Sequence, residues 1–522
     1  MEPTRTRLTA AQRWLLAVSC LAIALVIASM AALYTALPEV AATSGATQLQ
    51  LTWIVDGYTL ALACLVLPAG ALGDRYGRRA VLIAGLVIFA AASALPLLVD
   101  SPLWLIFARA IAGVGAALVM PSTLSLLTSG FPEDRRSTAV GLWSGVAGAG
   151  AVLGLLGSGM LLQMWSWVSV FIAMAVSGAA LTVAAFTVPE SVDETRPTLD
   201  AWGAITAAIA IGMFVVAAIE APIRGWTDTV VIGLFSSAVV AAAAFVAVEL
   251  RVEHPLLDLR LFADRGFGSG AASVAVQYLV SFGVFMLFVQ FLQLIFGYAP
   301  LLSAVALAPM VVPIIALSAI APRLAERFGL RLLTFLGLAA IGIGLLLLSR
   351  LTADSTYLDL LWPLLVMSIG LGVCTAPATA AIIAGTPVEK HGVASAVNDA
   401  AREIGAAIGV AVAGSILAAG YSDRIAAVLP RLPEQAREPV GDSLAAALEV
   451  TERVGPAAQP LADLAKDAFA HGAQQSAIAL GILTLVAAVA IGVWAPGRRA
   501  AKQVLVTKEP VRESEKQEAS VV

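Results

Sequence analysis

Fourteen apolar runs, each long enough to cross about 30 Å of hydrocarbon, follow one another along the chain. They lie near 14–36, 51–72, 80–98, 103–127, 138–162, 167–188, 202–220, 229–249, 269–296, 302–322, 330–349, 358–384, 393–420 and 475–495. Runs of that length have to be helices, because lipid offers no water to a bare backbone. The expected class is an all-α polytopic membrane protein. Composition agrees: of 522 residues 60% are hydrophobic and 13% charged, where a soluble chain carries about a quarter charged. Much of the outer surface must therefore face lipid.

Several function classes fall away. A net charge of −4 leaves no basic stripe for nucleic acid. Cys20, Cys64 and Cys374 all sit inside apolar runs, without metal-ligand or disulfide spacing, and read as small packing residues. No Walker loop, metal cluster or nucleophile–base arrangement occurs, so no catalysis, ATP use, metal or cofactor is expected. Arg5, Arg7 and Arg13 followed by an apolar stretch resemble a signal peptide. The stretch is too long and further spans follow at once, so an uncleaved first span is expected.

Loop charges give the orientation. With a cytoplasmic N-terminus, the inside loops hold Arg75, Arg78 and Arg79, then Arg135 and Arg136, then Arg251, Arg260 and Arg265, then Arg323, Arg327 and Arg331. The tail adds Arg498, Arg499 and Lys502, whereas the short outside loops hold only Arg224 and Arg350. The positive-inside rule thus predicts a multi-pass protein of the cell membrane with both termini cytoplasmic. The large outside loop, 421–473, is mixed-charge and proline-rich and reads as a solvated connector, with a short amphipathic helix from Leu444 to Val454. The tail from Lys508 to Val522 is polar and is expected to be disordered.

An internal repeat sets the architecture. Leu72-Gly73-Asp74-Arg75-Tyr76-Gly77-Arg78-Arg79 follows span 2, and Leu324-Ala325-Glu326-Arg327-Phe328-Gly329-Leu330-Arg331 follows span 10. Leu, an acid, Arg, an aromatic, Gly and a final Arg match at identical spacing. Gly150 and Gly154 of span 5 are echoed by Gly405 and Gly409 of span 13. Both offsets are eight helices, as two six-helix bundles with two helices inserted between them would give. The corresponding divisions are 1–190, 191–265 for the inserted pair and its linkers, 266–497 including loop 421–473, and a tail 498–522. Parallel repeats of this kind build transporters with a substrate site between the halves.

The residues now support a resemblance. Gly70-Ala71-Leu72-Gly73-Asp74-Arg75-Tyr76-Gly77-Arg78-Arg79 resembles the loop signature of the major facilitator superfamily, and Arg109 with Gly113 and Gly115 is similar to its fourth-helix motif. The span count, Trp53-Ile54-Val55-Asp56-Gly57-Tyr58 and Pro255-Leu256-Leu257-Asp258-Leu259-Arg260-Leu261-Phe262 resemble the fourteen-helix drug:proton antiporters, particularly quaternary-ammonium and biocide exporters. The resemblance covers nearly the whole chain. It implies multidrug efflux of small amphiphilic substrates, with protons as the coupling ion. The chain departs from the family where it usually has an Asp nine residues before Pro38, here Ser29. It also has Leu155 in place of a Pro after Gly154, and Ala112 in place of a Gln. The first two departures fall in motifs tied to proton exchange.

Ionisable groups inside spans are costly and are therefore functional candidates. Asp56, one to two turns into span 2 from outside, is placed to load a proton from the external medium, or else to hydrogen-bond a neighbouring helix as a wet vestibule residue. In span 13, Asp399 and Glu403 lie about 40° apart and Arg402 about 60° to the other side, so all three share one face. The resemblance matches this segment to the acidic stretch of span 13 in quaternary-ammonium exporters, implying attraction of a cationic drug or carriage of the coupling proton. The plain alternative is an Asp399–Arg402 pair that neutralises itself. Arg109 lacks the acid that relatives place on span 1, so another acid, water and carbonyls, or an anionic substrate group must meet it. The structural alternative there is a network joining spans 1, 4 and 5.

Gly70, Asp74, Arg75, Gly77, Arg78 and Arg79 read as a conformational latch, with Asp74 meeting a helix N-terminus or an Arg of the facing bundle. Glu326, Arg327 and Arg331 would form a weaker equivalent. Tyr34, Tyr58, Trp143, Tyr278, Phe285 and Met286 are candidate cavity residues. The leading expectation is an exporter of hydrophobic or cationic compounds working by alternating access. The alternatives are a dedicated exporter or flippase of an endogenous lipid, siderophore or antibiotic-like metabolite, without proton coupling, and a degenerate transporter serving as sensor or scaffold.

Overall fold

Every apolar run becomes a helix, and most helices outlast the run by a turn or more. In the computed structural model, which describes residues 8–46, 48–99, 101–192, 199–387 and 390–497, fourteen helices are long and apolar enough to span a membrane. They are Ala10–Leu37, Gln50–Tyr76, Arg78–Leu97, Pro102–Gly130, Arg135–Met164, Val168–Ala185, Ala201–Arg224, Thr229–Glu249, Arg265–Ile295, Pro300–Phe328, Leu330–Leu348, Tyr357–Ala384, His391–Ile425 and Pro456–Trp494, called spans 1 to 14. No strand occurs among the described residues. Arg5, Arg7, Arg498, Arg499, Lys502 and the tail from Lys508 lie outside them. Spans 1 and 14 leave both ends of the described chain on one face.

The eightfold offset holds in three dimensions. Span 1 packs on 5, 2 on 4, 3 on 4 and 3 on 6; correspondingly 9 packs on 13, 10 on 12, 11 on 12 and 11 on 14. The repeated loop keeps its backbone as well. Gly77 and Gly329 have φ of 106° and 89°, a left-handed region that favours glycine. Arg79 donates to Val188 O just after span 6 (3.1 Å), and Arg331 to Val493 O and Ala495 O at the end of span 14 (3.1 and 3.0 Å). In each half, then, the loop's last arginine caps the carbonyl end of that half's sixth helix.

The halves meet along two seams, span 2 against span 13 and span 5 against span 10. Glycines let the backbones approach there. A Cβ on Gly70 would lie 2.5 Å from Gly392 O, and one on Gly141 2.5 Å from Ser318 O. Span 5 is one unbroken helix, Glu133–Met164, in keeping with Leu155 rather than a proline. Span 10 is interrupted by a 3-10 turn at Ala308–Met310, where Pro309 has no N–H to continue the ladder.

Span 7 packs on both span 2 and span 13, so it straddles the first seam, while span 8 packs mainly on span 7. Trp226, in the turn between them, donates to Ser415 Oγ of span 13 (2.9 Å). Asp200 caps span 7 through Gly203 N (2.8 Å), and Glu249 holds the turn after span 8 through Leu257 N (2.9 Å). Their other oxygens, Asp200 Oδ2 and Glu249 Oε1, are buried, unpartnered and both crowd Gly203. Glu249→Gln is expected to stabilise the protein by about 1 kcal/mol, because one amide oxygen can keep the Leu257 bond while its NH2 donates to Asp200. The thermal unfolding midpoint in detergent measures this, and a fall would contradict the pairing.

The long loop differs from a solvated connector. Span 13 runs on to Ile425, and the last helix begins at Gln459 rather than near 475. Between them stand helices Glu434–Asp442 and Leu444–Val454, the second with the bounds its periodicity predicts. Val440, Leu444 and Ala447 are buried, and Tyr421 Oη donates to Val440 O (2.8 Å). These extensions are amphipathic, so their apolar side is covered by neighbouring helices instead of lipid.

Candidate functional site

Span 13 begins without a cap of its own. Its N-cap residue, Lys390, makes no side-chain cap bond, and a helix N-terminus leaves its first N–H groups bare. Asp74, from the other half, supplies the acceptor. Its Oδ1 accepts from Gly392 N (2.9 Å) and its Oδ2 from Val393 N (3.0 Å). Oδ1 also takes Arg78 Nε and Nη2 (3.0 and 2.8 Å). A negative charge at this end of the helix dipole is favourable.

Arg78 is buried in turn and donates to Ser191 Oγ (3.0 Å), while Arg79 pairs with Glu190 at 3.6 Å. Arg75 lies over the neighbouring Tyr76 ring. Gly70 and Gly392 bring spans 2 and 13 into backbone contact one turn away. The expected latch residues thus converge on the terminus-bearing end of one seam. The second-half set does not mirror this. Glu326 and Arg327 are exposed, with Arg327 over Phe328, and Arg331 is spent on span 14. Among the described residues Glu326 joins no ion pair, so of that expectation Arg331 alone is bonded to another span.

Arg109 is closed inside the first half. It donates to Ser29 Oγ (2.9 Å), Ser29 O (3.3 Å) and Ile54 O (3.2 Å), and its guanidinium lies 4.1 Å from the Tyr58 ring centroid. Tyr58 Oη reaches Val26 O at 3.0 Å. This network ties spans 1, 2 and 4, with span 2 where span 5 was expected. With 1% of its surface exposed, Arg109 has hydroxyl, carbonyl and ring partners in place of an acid. Arg109→Ala is therefore expected to lower stability by about 3 kcal/mol and leave the choice between anionic and neutral amphiphiles unaltered. A thermal shift assay with a substrate panel tests both parts.

The second half carries a different centre. Asp399, Arg402 and Glu403 are all buried on one face of span 13, as their spacing predicts. Arg402 lies between two rings, 4.8 Å from the Trp143 centroid of span 5 and 4.9 Å from that of Tyr278 in span 9. Its Nη1 is 3.8 Å from Asp399 Oδ1, a long ion pair. Asp399 Oδ1 is held by Asn398 Nδ2 (3.1 Å), and Asn398 by Thr379 (2.9 Å).

Much of this group is unmet. Arg402 Nε, Nη1 and Nη2, Asp399 Oδ2, Glu403 Oε2 and Tyr278 Oη are buried without a hydrogen-bond partner. Buried polar atoms normally find one, and each orphan costs free energy. The plain Asp399–Arg402 pair does not account for the arrangement. Glu403 acts electrostatically on both Tyr58 and Tyr278, so it stands between the two halves' centres. Asp56 is set apart. It is half-buried, its electrostatic neighbour is Tyr34, and among the described residues it has neither hydrogen bond nor ion pair.

Tyr278 also borders a cavity of about 80 Å³ between spans 5, 9, 10 and 12. Phe282, Phe285, Phe288, Met310 and Met367 line it, and Thr375 and Ser281 are its polar members. Tyr278 and Phe285 of the expected cavity residues are there. Trp143 and Tyr58 instead face the arginines, Tyr34 is exposed, and Met286 is half-buried off the lining. Sequence reasoning missed Gln277, which accepts from Thr375 (2.5 Å) and donates to Ser273 (2.9 Å). An amide in the middle of an apolar run was its available signal.

Two pseudo-equivalent six-helix halves, a charged clasp at one end of their seam and an unmet polar centre beside an apolar cavity define a membrane transporter rather than an enzyme. The model of the Major Facilitator Superfamily matches residues 19–410, and the chain belongs to that superfamily. It is 33% identical over 501 residues to the multidrug efflux pump LfrA of Mycolicibacterium smegmatis, covering 94% of this chain and 98% of LfrA. It is also 33% identical over 407 residues to the multidrug resistance protein Stp of Mycobacterium tuberculosis, covering 78% and 75% of the two chains. The human organic anion transporter MFSD10 shares the fold, with a TM-score of 0.59 at 14% identity over 92% of this chain and all of that one.

Proposed function

We propose that this chain is an exporter of hydrophobic, cationic or amphiphilic drugs, working by alternating access and driven by proton antiport. The orientation goes with it: a cell-membrane protein with both termini cytoplasmic, so that the Asp74 clasp closes the cytoplasmic side. The domain division at 190/191 and 265/266 belongs to the same reading. The relatives that are multidrug resistance and efflux proteins support the export of drugs.

The observation that carries the reading is the buried Asp399–Arg402–Glu403 group, with two carboxylates for one guanidinium. Desolvated carboxylates with unpartnered oxygens are poised to take either a proton or a cation. Mutual exclusion of the two at one site is enough for antiport. Protonation on one side releases the drug, and deprotonation on the other lets the next one bind. Asp56, on the side away from the termini, is placed to pass protons in from outside.

Everted vesicles with an imposed pH gradient test the coupling. Accumulation of tetraphenylphosphonium should collapse with the gradient and fall more than about tenfold in the Asp399→Asn, Glu403→Gln double variant. Accumulation indifferent to the gradient would remove the antiport assignment. A second reading, a dedicated exporter of an endogenous lipid or metabolite without proton coupling, draws on the Ser29–Arg109 bond, which leaves span 1 with no carboxylate at that point.

A further inference from the structure

From the setting of Arg402 we infer that it is a resident cation. Its guanidinium sits where a substrate's cationic group has to sit, so substrate and Arg402 compete for one cage of Trp143 and Tyr278. This rests on the cation-export reading above and adds the residue that sets the affinity of the site.

The argument starts from what a guanidinium usually demands. It carries five N–H donors in a rigid fork and selects carboxylate or carbonyl partners that match it. Arg109 follows the rule, with bonds from all three of its nitrogens. Arg402, as deeply buried, follows none of it. All three nitrogens lack an acceptor, and what holds the group is two aromatic faces and one carboxylate oxygen at 3.8 Å.

That environment recognises positive charge without recognising N–H groups. Ring faces attract any cation through their quadrupole, most strongly when it is desolvated. A cation with no N–H forfeits no hydrogen bonds on entering, whereas Arg402 forfeits its own by staying. The cage therefore fits a foreign cation better than its own occupant, which the main chain keeps there by tether. Asp399 and Glu403 set two carboxyl groups beside one guanidinium, and the one that Arg402 does not pair can ionise to draw the incoming cation. Tyr278 is common to the cage and to the apolar cavity, so the rest of the substrate has a place to lie beside it.

The test is tetraphenylphosphonium binding to the purified full-length protein by titration calorimetry. Removing the competitor in R402Q, or in R402M as a second neutral replacement, should tighten binding roughly tenfold, while R402K should stay near wild type. In R402K, saturating tetraphenylphosphonium should also raise several-fold the rate at which the introduced amine is acetylated, since a displaced amine meets water. Unchanged or weaker binding in folded R402Q and R402M overturns the inference, and so does an amine that the ligand protects. If Asp399→Asn and Glu403→Gln abolish binding in that case, the cation-export reading survives without it. A wild-type protein that does not bind the probe removes both.

Discussion

Gly409→Ala is expected to leave little folded protein, whereas Gly414→Ala, one turn on in the same helix, should behave as wild type or better. A Cβ on Gly409 would stand 2.9 Å from Leu279 Cα and 2.6 Å from its carbonyl carbon, within the backbone of span 9. Backbone cannot swing aside as a flexible side chain can. Spans 9 and 13 would have to separate along a contact that also positions Tyr278 against Arg402. Overpacking of this kind costs about 3 kcal/mol, a large share of the stability of a typical domain. Gly414 has nothing within 4 Å of its missing Cβ, so alanine there removes only the entropic cost of glycine in a helix. Yield of monodisperse protein and its thermal midpoint compare the two. Equal behaviour would mean that the spans are not in backbone contact.

Asp74→Asn should cut turnover roughly ten- to a hundredfold and change substrate affinity less than about threefold. The carboxylate accepts four hydrogen bonds, two from Arg78 and two from the start of span 13. Asparagine keeps one acceptor oxygen and turns an NH2 toward donors, and the buried Arg78 loses the carboxylate 2.8 Å away. Breaking such a pair costs about 3–5 kcal/mol. The loss falls on the state in which spans 2 and 13 touch, so the equilibrium between access states shifts while the central site, two to three turns along span 13, keeps its shape. Steady-state transport with equilibrium binding on the same preparation separates the two quantities. Loss of binding with normal folding would contradict a purely conformational role.

The spans were legible because lipid solvation imposes length and apolarity directly on sequence. The repeat was legible because an acid, a glycine and an arginine at fixed spacing serve the same backbone turn in both halves. Asp399, Arg402 and Glu403 could be put on one face from helical geometry alone. The rest of that site could not be read, because Trp143 and Tyr278 come from spans 5 and 9 and only the fold brings them to Arg402. That Asp74 meets a helix N-terminus is an expectation the loop signature carries, but which helix it meets was silent, since Gly392 lies 318 positions away. The extensions of spans 13 and 14 were missed because an amphipathic helix above the bilayer has no apolar run to announce it. Arg109 was legible only as a choice. The absence of an acid on span 1 left an acid, carbonyls or an anionic substrate group open as its partner, and a serine hydroxyl, two carbonyls and a phenol ring meet it.

Span 7 lies along the junction of spans 2 and 13, and Trp226 fastens its turn to Ser415. A twelve-helix relative built from the two halves alone would present two symmetric flanks to the surrounding lipid. Here one flank is shuttered by protein. On the export reading proposed above, an amphiphile entering from a leaflet would use the other flank, where the seam of spans 5 and 10 lies beside the cavity lined by Phe282 and Met310.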